Sequence, residues 1–126
     1  MSRKLLVTDD AAIIREIIKE TAEATGWEIV GEAENGQQAI ERYAEFQPDA
    51  VTLDLVMPDY GGLHALEGIL DIDPDARVMV VSALNQKDVL KDAFKQGAAD
   101  FMIKPFDKQE LAAALDRLVP LAEATP

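Results

Sequence analysis

The sequence predicts an α/β fold, with five parallel strands in one sheet and helices on both faces. Apolar runs of strand length alternate with helix-period segments five times along 126 residues. Turn formers fill the gaps, at Gly26, Asn35-Gly36, Gly61-Gly62, Pro74 and Gly97. Alternating strands and helices imply right-handed crossovers, which lay the strands parallel and cover both sheet faces.

The expected strands are residues 4–8, 28–33, 50–54, 77–82 and 100–104, and the expected helices are residues 11–25, 36–46, 61–72, 86–96 and 107–118. The strands around Leu5, Val51 and Val80 are nearly all apolar, as interior parallel strands are. The second strand mixes in Glu28 and Glu32, which suits an edge. In the first helix Ile14, Ile17, Ile18 and Thr21 share a face, while Arg15, Glu16, Lys19, Glu20 and Glu23 lie mostly elsewhere. The second helix opens at Asn35-Gly36 and the third at Gly61-Gly62. The fourth carries Lys87, Lys91 and Lys95 every four residues, with Asp88 and Asp92 interspersed. In the last, Asp107 suits an N-cap, and Leu111, Leu115 and Leu118 repeat the helical spacing.

Composition excludes several classes of function. Hydrophobic residues make up 48% and charged residues 29%, an ordinary balance for a globular protein. Net charge is −12, from 24 acidic and 12 basic residues, so a nucleic acid would be repelled. With no cysteine there are no disulfides, thiolate metal sites or cysteine nucleophiles. No apolar stretch approaches the roughly 20 residues that span a bilayer. No signal-like segment precedes the first strand, so the expected location is the cytoplasm. The expected organisation is one domain over residues 1–126, with no output domain.

The chemistry falls where strands end: Asp9-Asp10 after the first, Asp54 closing the third, Ser82 closing the fourth, Lys104-Pro105 after the fifth. The carboxyl ends of parallel strands line one edge of an open sheet, where such folds bind ligands. Residues spread over a hundred positions therefore converge on one pocket. Adjacent like charges are costly unless a cation lies beside them, and hard oxygen ligands favour magnesium. An ionised Asp54 can act as a nucleophile and form an acyl phosphate. Lys104 can pair with Asp54 and then grip a phosphate oxygen, and Pro105 admits a cis peptide that aims the lysine inward. The Ser82 hydroxyl can donate to a phosphate oxygen. Each residue alone has a plainer reading, as a helix cap, a turn or a surface group; their joint order along the strand ends points to phosphoryl chemistry.

With these marks the chain resembles the receiver domains of two-component response regulators, over roughly residues 4–118. The resemblance rests on Asp9-Asp10, on Asp54 followed by Met57-Pro58 and Gly61-Gly62, and on Ser82-Ala83. Gly97-Ala98-Ala99-Asp100-Phe101 and Lys104-Pro105-Phe106 complete it. It implies a doubly wound, flavodoxin-like sheet in the order 2-1-3-4-5. It implies Asp54 as phosphoacceptor, with one magnesium ion held by Asp10, Asp54 and the Val56 backbone carbonyl, and by Asp9 mainly through water. Lys104 and Ser82 would contact the phosphoryl group, and Phe101 would be an aromatic switch that turns inward as Ser82 moves. Residues 82–86 and 98–101 most resemble stand-alone chemotaxis regulators of the CheY type. That implies a CheA-like histidine kinase as phosphodonor and a protein target docking near residues 86–96 and the Phe101 strand. The chain would be a monomer or weak dimer, and a switch rather than an enzyme acting on free substrate.

Three departures stand out. Ala11 replaces a common Glu, and Ser82 a commoner Thr. Val56 and Leu84, two residues beyond Asp54 and Ser82, are apolar and cannot orient a hydrolytic water, which predicts slow self-dephosphorylation. Other readings are a lone receiver of a phosphorelay or cell-cycle circuit, a receiver excised from a longer regulator, an Asp-nucleophile phosphatase and a non-phosphorylated binding module. The phosphatase needs a second acid where Val56 stands, and the binding module has no use for Asp10, Asp54 and Lys104 together. His64, the sole histidine, is expected as a solvated helix residue, and Trp27 as a packing residue too far from Asp54 to report on it. The Lys87, Lys91 and Lys95 stripe is expected as a solvated face, with partner docking as its functional alternative.

Overall fold

The computed structural model describes residues 3–57, 61–83 and 85–120. Five strands and five helices alternate: β1 (Arg3–Thr8), α1 (Ala12–Ala24), β2 (Trp27–Ala33), α2 (Gly36–Phe46), β3 (Ala50–Asp54), α3 (Gly62–Ile72), β4 (Val78–Ala83), α4 (Lys87–Gln96), β5 (Asp100–Lys104) and α5 (Lys108–Leu118). The strands pair in parallel in the order β2-β1-β3-β4-β5, with β2 at an edge as its glutamates suggest. Boundaries differ from expectation by a residue or so. Strand β1 includes Arg3, whose side chain is buried, and Asp107 and Ala11 stand outside their helices as extended caps. Gln86 likewise precedes α4 as its N-cap.

The sheet separates two apolar layers. Leu6, Val51, Leu53, Val78 and Val80 face Ala39 and Tyr43 of α2, Leu66 and Ile69 of α3, and Ala93 of α4. Leu5, Val7, Met79, Val81 and Met102 face Ile18 and Ala22 of α1 and Leu111, Leu115 and Leu118 of α5. Strand side chains alternate between the two faces, so the interior strands β1, β3 and β4 are largely apolar on both sides. The order reverses beside β1, whose neighbours β2 and β3 are each reached by a crossover, leaving a crevice at the carboxyl ends of β1 and β3. Asp9 and Asp54 lie there. Among the described residues no helix is long and apolar enough to cross a membrane.

Candidate functional site

Asp9 follows β1, and its backbone N–H donates to the Ala33 carbonyl at 3.0 Å. Its Oδ1 accepts the Ala11 N–H at 2.9 Å, holding the turn into α1. Its Oδ2 takes the Lys104 ammonium at 2.8 Å, from the far end of β5. Asp54 ends β3 with Oδ2 3.4 Å from the same ammonium and Oδ1 accepting the Val56 N–H at 3.3 Å. Asp9 and Asp54 are both buried, while Asp10 beside them is exposed. Oxygens of Asp9, Asp10 and Asp54 all lie within 4.8 Å of one another. The Lys104–Pro105 peptide is cis.

Lys104 was expected to pair with Asp54; it divides itself between two carboxylates and sits closer to Asp9. Two buried anions around one ammonium leave a net negative charge. Burial, and then the charge of Asp9, push the Asp54 carboxyl up to about 6 against the pull of Lys104 and the Val56 N–H. Burial also opposes the Lys104 ammonium, yet the Asp9 hydrogen bond and both carboxylate charges hold its pKa above the usual lysine value. Excess charge and clustered oxygens fit a small hard dication, which binds through one or two carboxylates and retains water.

Backbone constraints shape the pocket further. A Cβ on Gly62 would stand 2.5 Å from the Asp54 carbonyl oxygen and 2.5 Å from the Leu55 Cα, so only glycine lets α3 begin this close to the end of β3. The Gly61-Gly62 pair was legible as a mark, but this steric role was not. Arg15 was also missed as a site residue. Its Nη1 donates to the Asp9 carbonyl at 2.8 Å and its Nε to Glu32 Oε1 at 3.0 Å, bracing the acidic turn against β2. Its place among the polar residues of α1 gave no sign of that role.

Ser82 closes the pocket from β4, one residue past Val81, the register partner of Asp54. Its hydroxyl is fully buried and lies 3.0 Å from Gln86 Oε1 and 3.1 Å from the Ala83 carbonyl. Phe101, on the β5 face toward α4, is 42% exposed and meets Phe94 edge-on at 5.8 Å between ring centroids. The Val56 side chain is exposed, while Pro58 and Leu84 lie outside the described residues. His64 occupies an exposed position on α3, and Lys87, Lys91 and Lys95 are exposed along α4. Trp27 is buried at the opposite end of the sheet against Arg3.

A strand-end aspartate, an acidic cluster and a cross-sheet lysine on a 2-1-3-4-5 sheet define a phosphoryl-accepting signalling domain. Residues 5–116 match the model of the response regulator receiver domain, and the chain belongs to that family. It is a CheY-like receiver of a two-component response regulator. It is 41% identical to the chemotaxis protein CheY of Thermotoga maritima over 94% of this chain and 98% of that protein. It is 43% identical to the chemotaxis protein CheY of Bacillus subtilis, over 93% and 98%. Among solved structures it resembles a CheX–CheY–BeF3–Mg complex from Borrelia burgdorferi, with TM-score 0.86, 29% identity and 91% and 87% coverage. The response regulator domain of Thermotoga maritima CheB aligns over 100% of both chains, with TM-score 0.85 and 30% identity.

Proposed function

We propose that the chain is a cytoplasmic chemotaxis switch, phosphorylated on Asp54 by a CheA-like histidine kinase. The carrying observation is the buried Asp54 carboxylate sharing Lys104 with Asp9 beside exposed Asp10. The printed role of the CheY relatives supports chemotaxis over other circuits.

An ionised Asp54 oxygen attacks the phosphorus of a phosphohistidine or small acyl phosphate. An O–P bond forms, the bond to the leaving group breaks, and its electron pair returns to the donor. Asp54 is the right nucleophile because it combines burial at a strand end with a carboxyl pushed up to about 6, ionised at neutral pH yet more basic than a surface aspartate. Lys104 offers its ammonium to a phosphoryl oxygen, as charge moves from the Asp54 carboxylate to the phosphoryl group. Magnesium, held by Asp10, Asp54 and the Val56 carbonyl and by Asp9 through water, would supply neutralising charge to the phosphoryl oxygens. Ser82 turns to donate its hydroxyl, and Phe101 moves from its exposed position into the space released. The shift in population alters a docking face formed by α4 and the Phe101 strand, where Lys87, Lys91 and Lys95 are exposed to an acidic target. Net charge of −12 argues against nucleic acid as that target. Monomer or weak dimer is the expected state, and the only catalysis is of the chain's own phosphorylation and dephosphorylation.

Incubation with acetyl phosphate and magnesium should give a single phosphoryl adduct by intact mass. The adduct should vanish in Asp54→Asn and with a chelator. Continued phosphate release from small esters without an adduct would move the chain to the phosphatases. The adduct should decay slowly, because the Val56 side chain offers no group to orient water. Val56→Asn should speed that decay; an unchanged rate would remove this part of the reading.

A further inference from the structure

We propose that Gln86 is a positioning residue that withholds the Ser82 hydroxyl from the phosphoryl group and so sets how readily Asp54 phosphorylation is stabilised. The inference rests on Asp54 as phosphoacceptor and Ser82 as a phosphoryl contact. Gln86 precedes α4, and its side chain folds back over the β4–α4 turn. Its Oε1 accepts the Ala83 N–H at 2.8 Å, while its own N–H donates to the Ala83 carbonyl at 3.1 Å. A backbone N–H can only donate, so the amide atom facing Ala83 must be the oxygen. Ser82, 3.0 Å from that same oxygen, must donate as well.

A serine hydroxyl has one proton. Here it is directed at Gln86, with the Ala83 carbonyl as a second acceptor at 3.1 Å, and neither acceptor belongs to Asp54. To donate to a phosphoryl oxygen, Ser82 must first give up the Gln86 bond. Gln86 loses little by that exchange, since it keeps the Ala83 N–H. The bond therefore lowers the fraction of molecules whose Ser82 is free, and apparent affinity for the phosphoryl state falls by that fraction. A side chain of similar size without the oxygen releases the proton. The expected gain is roughly two- to tenfold, the range spanned by one net hydrogen bond. The Ala83 carbonyl, still available to Ser82, sets the lower end.

Beryllofluoride, an unreactive phosphoryl mimic, gives a binding readout free of phosphotransfer rates. The wild type, Gln86→Met, Ser82→Ala and the double variant would be titrated with it calorimetrically in magnesium. Gln86→Met should bind two- to tenfold tighter, and the same substitution in the Ser82→Ala background should change nothing. Gln86→Glu, which keeps an acceptor oxygen, should bind no tighter than wild type. No tightening in Gln86→Met, tightening of equal size without Ser82, or tighter binding by Gln86→Glu would each overturn the proposal. A wild type that binds no beryllofluoride and forms no adduct with acetyl phosphate would instead overturn the receiver mechanism, and this inference with it.

Discussion

At the amino ends of the strands the fold buries Arg3 to 1% exposure; at the carboxyl ends it buries Asp9 completely and Asp54 to 5%. Arg3 donates to the Thr25 carbonyl at 2.8 Å, the Val119 carbonyl at 2.9 Å and Asp116 at 2.8 Å. Thr25 and Val119 are the C-caps of α1 and α5, so the guanidinium sits at the negative ends of two helices. Trp27 covers it at 4.5 Å from the ring centroid. Its Nε–H lacks a hydrogen-bond partner among the described residues. The carboxyl end is the reverse, with two buried anions, an exposed third and Lys104 shared between two of them. One pole spends its buried charge on holding helices together. The other keeps an imbalance that an incoming cation and phosphoryl group can relieve.

Removing charge should therefore have opposite signs at the two poles. Arg3→Met should destabilise by about 3 kcal/mol, since it leaves two C-cap carbonyls unpaired and removes a buried stack. Urea unfolding would measure it, and a loss within error of zero would mean water satisfies those carbonyls equally well. Gly62→Ala should cost about 2 kcal/mol by overpacking against the Asp54 peptide. That strain lies under the pocket, so acyl phosphate formation should fall along with stability. Full phosphorylation at reduced stability would show that Asp54 is insensitive to the start of α3.

Asp54→Asn should do the opposite and stabilise the cation-free protein by about 1–2 kcal/mol at pH 7.5, because an uncompensated buried charge disappears. The folded carboxyl sits near 6, above its unfolded value of 3.8, so the folded state holds the proton more tightly. Ionised Asp54 thus costs stability above pH 6, and that cost is recovered as pH falls from 6 toward 4. Thermal melts in chelator from pH 7.5 to 5 should show wild type gaining on the Asn variant. Parallel curves would mean Lys104 already balances the pocket. Magnesium should close the same gap by binding only the charged form.

Much of this contrast could be read from the chain, and the part that could not has a common cause. Strand-end Asp9, Asp10, Asp54, Ser82 and Lys104 were legible because each ends an apolar run, and a parallel sheet brings such ends together whatever their separation. The strands β1, β3 and β4 announced their interior places by central runs that are nearly all apolar. Arg3 carried no such signal. It looks like the flank of a strand, and its partners Asp116 and Val119 lie more than a hundred residues away. Gln86 and Arg15 were opaque for a related reason: their roles depend on side chains folding back onto a particular backbone group. Hydrophobic period fixes faces, not such reach. The unequal division of Lys104 between Asp9 and Asp54 likewise depends on ångström-scale placement.

The smallest effect expected tests how far the acidic pole leans on its edge strand. Glu32 on edge strand β2 receives Arg15 at 3.0 Å and Lys19 at 3.0 Å, and Arg15 in turn holds the Asp9 carbonyl. Burial alone would raise the Glu32 carboxyl, but the Lys19 and Arg15 hydrogen bonds and charges win and lower it from 4.5. Its contribution is therefore present above pH 4.5 and is lost as pH falls through the lowered folded value. Because Glu32 is partly exposed, Glu32→Gln should cost only about 0.5 kcal/mol near neutrality, shrinking further in acid. Its informative readout is magnesium affinity. Gln retains an oxygen for one hydrogen bond but loses the charge that anchors Arg15, so Asp9 should be less firmly placed and affinity should fall severalfold. Unchanged affinity would mean that β1 and the Ala33 carbonyl suffice to position Asp9, and that Arg15 braces the edge strand alone.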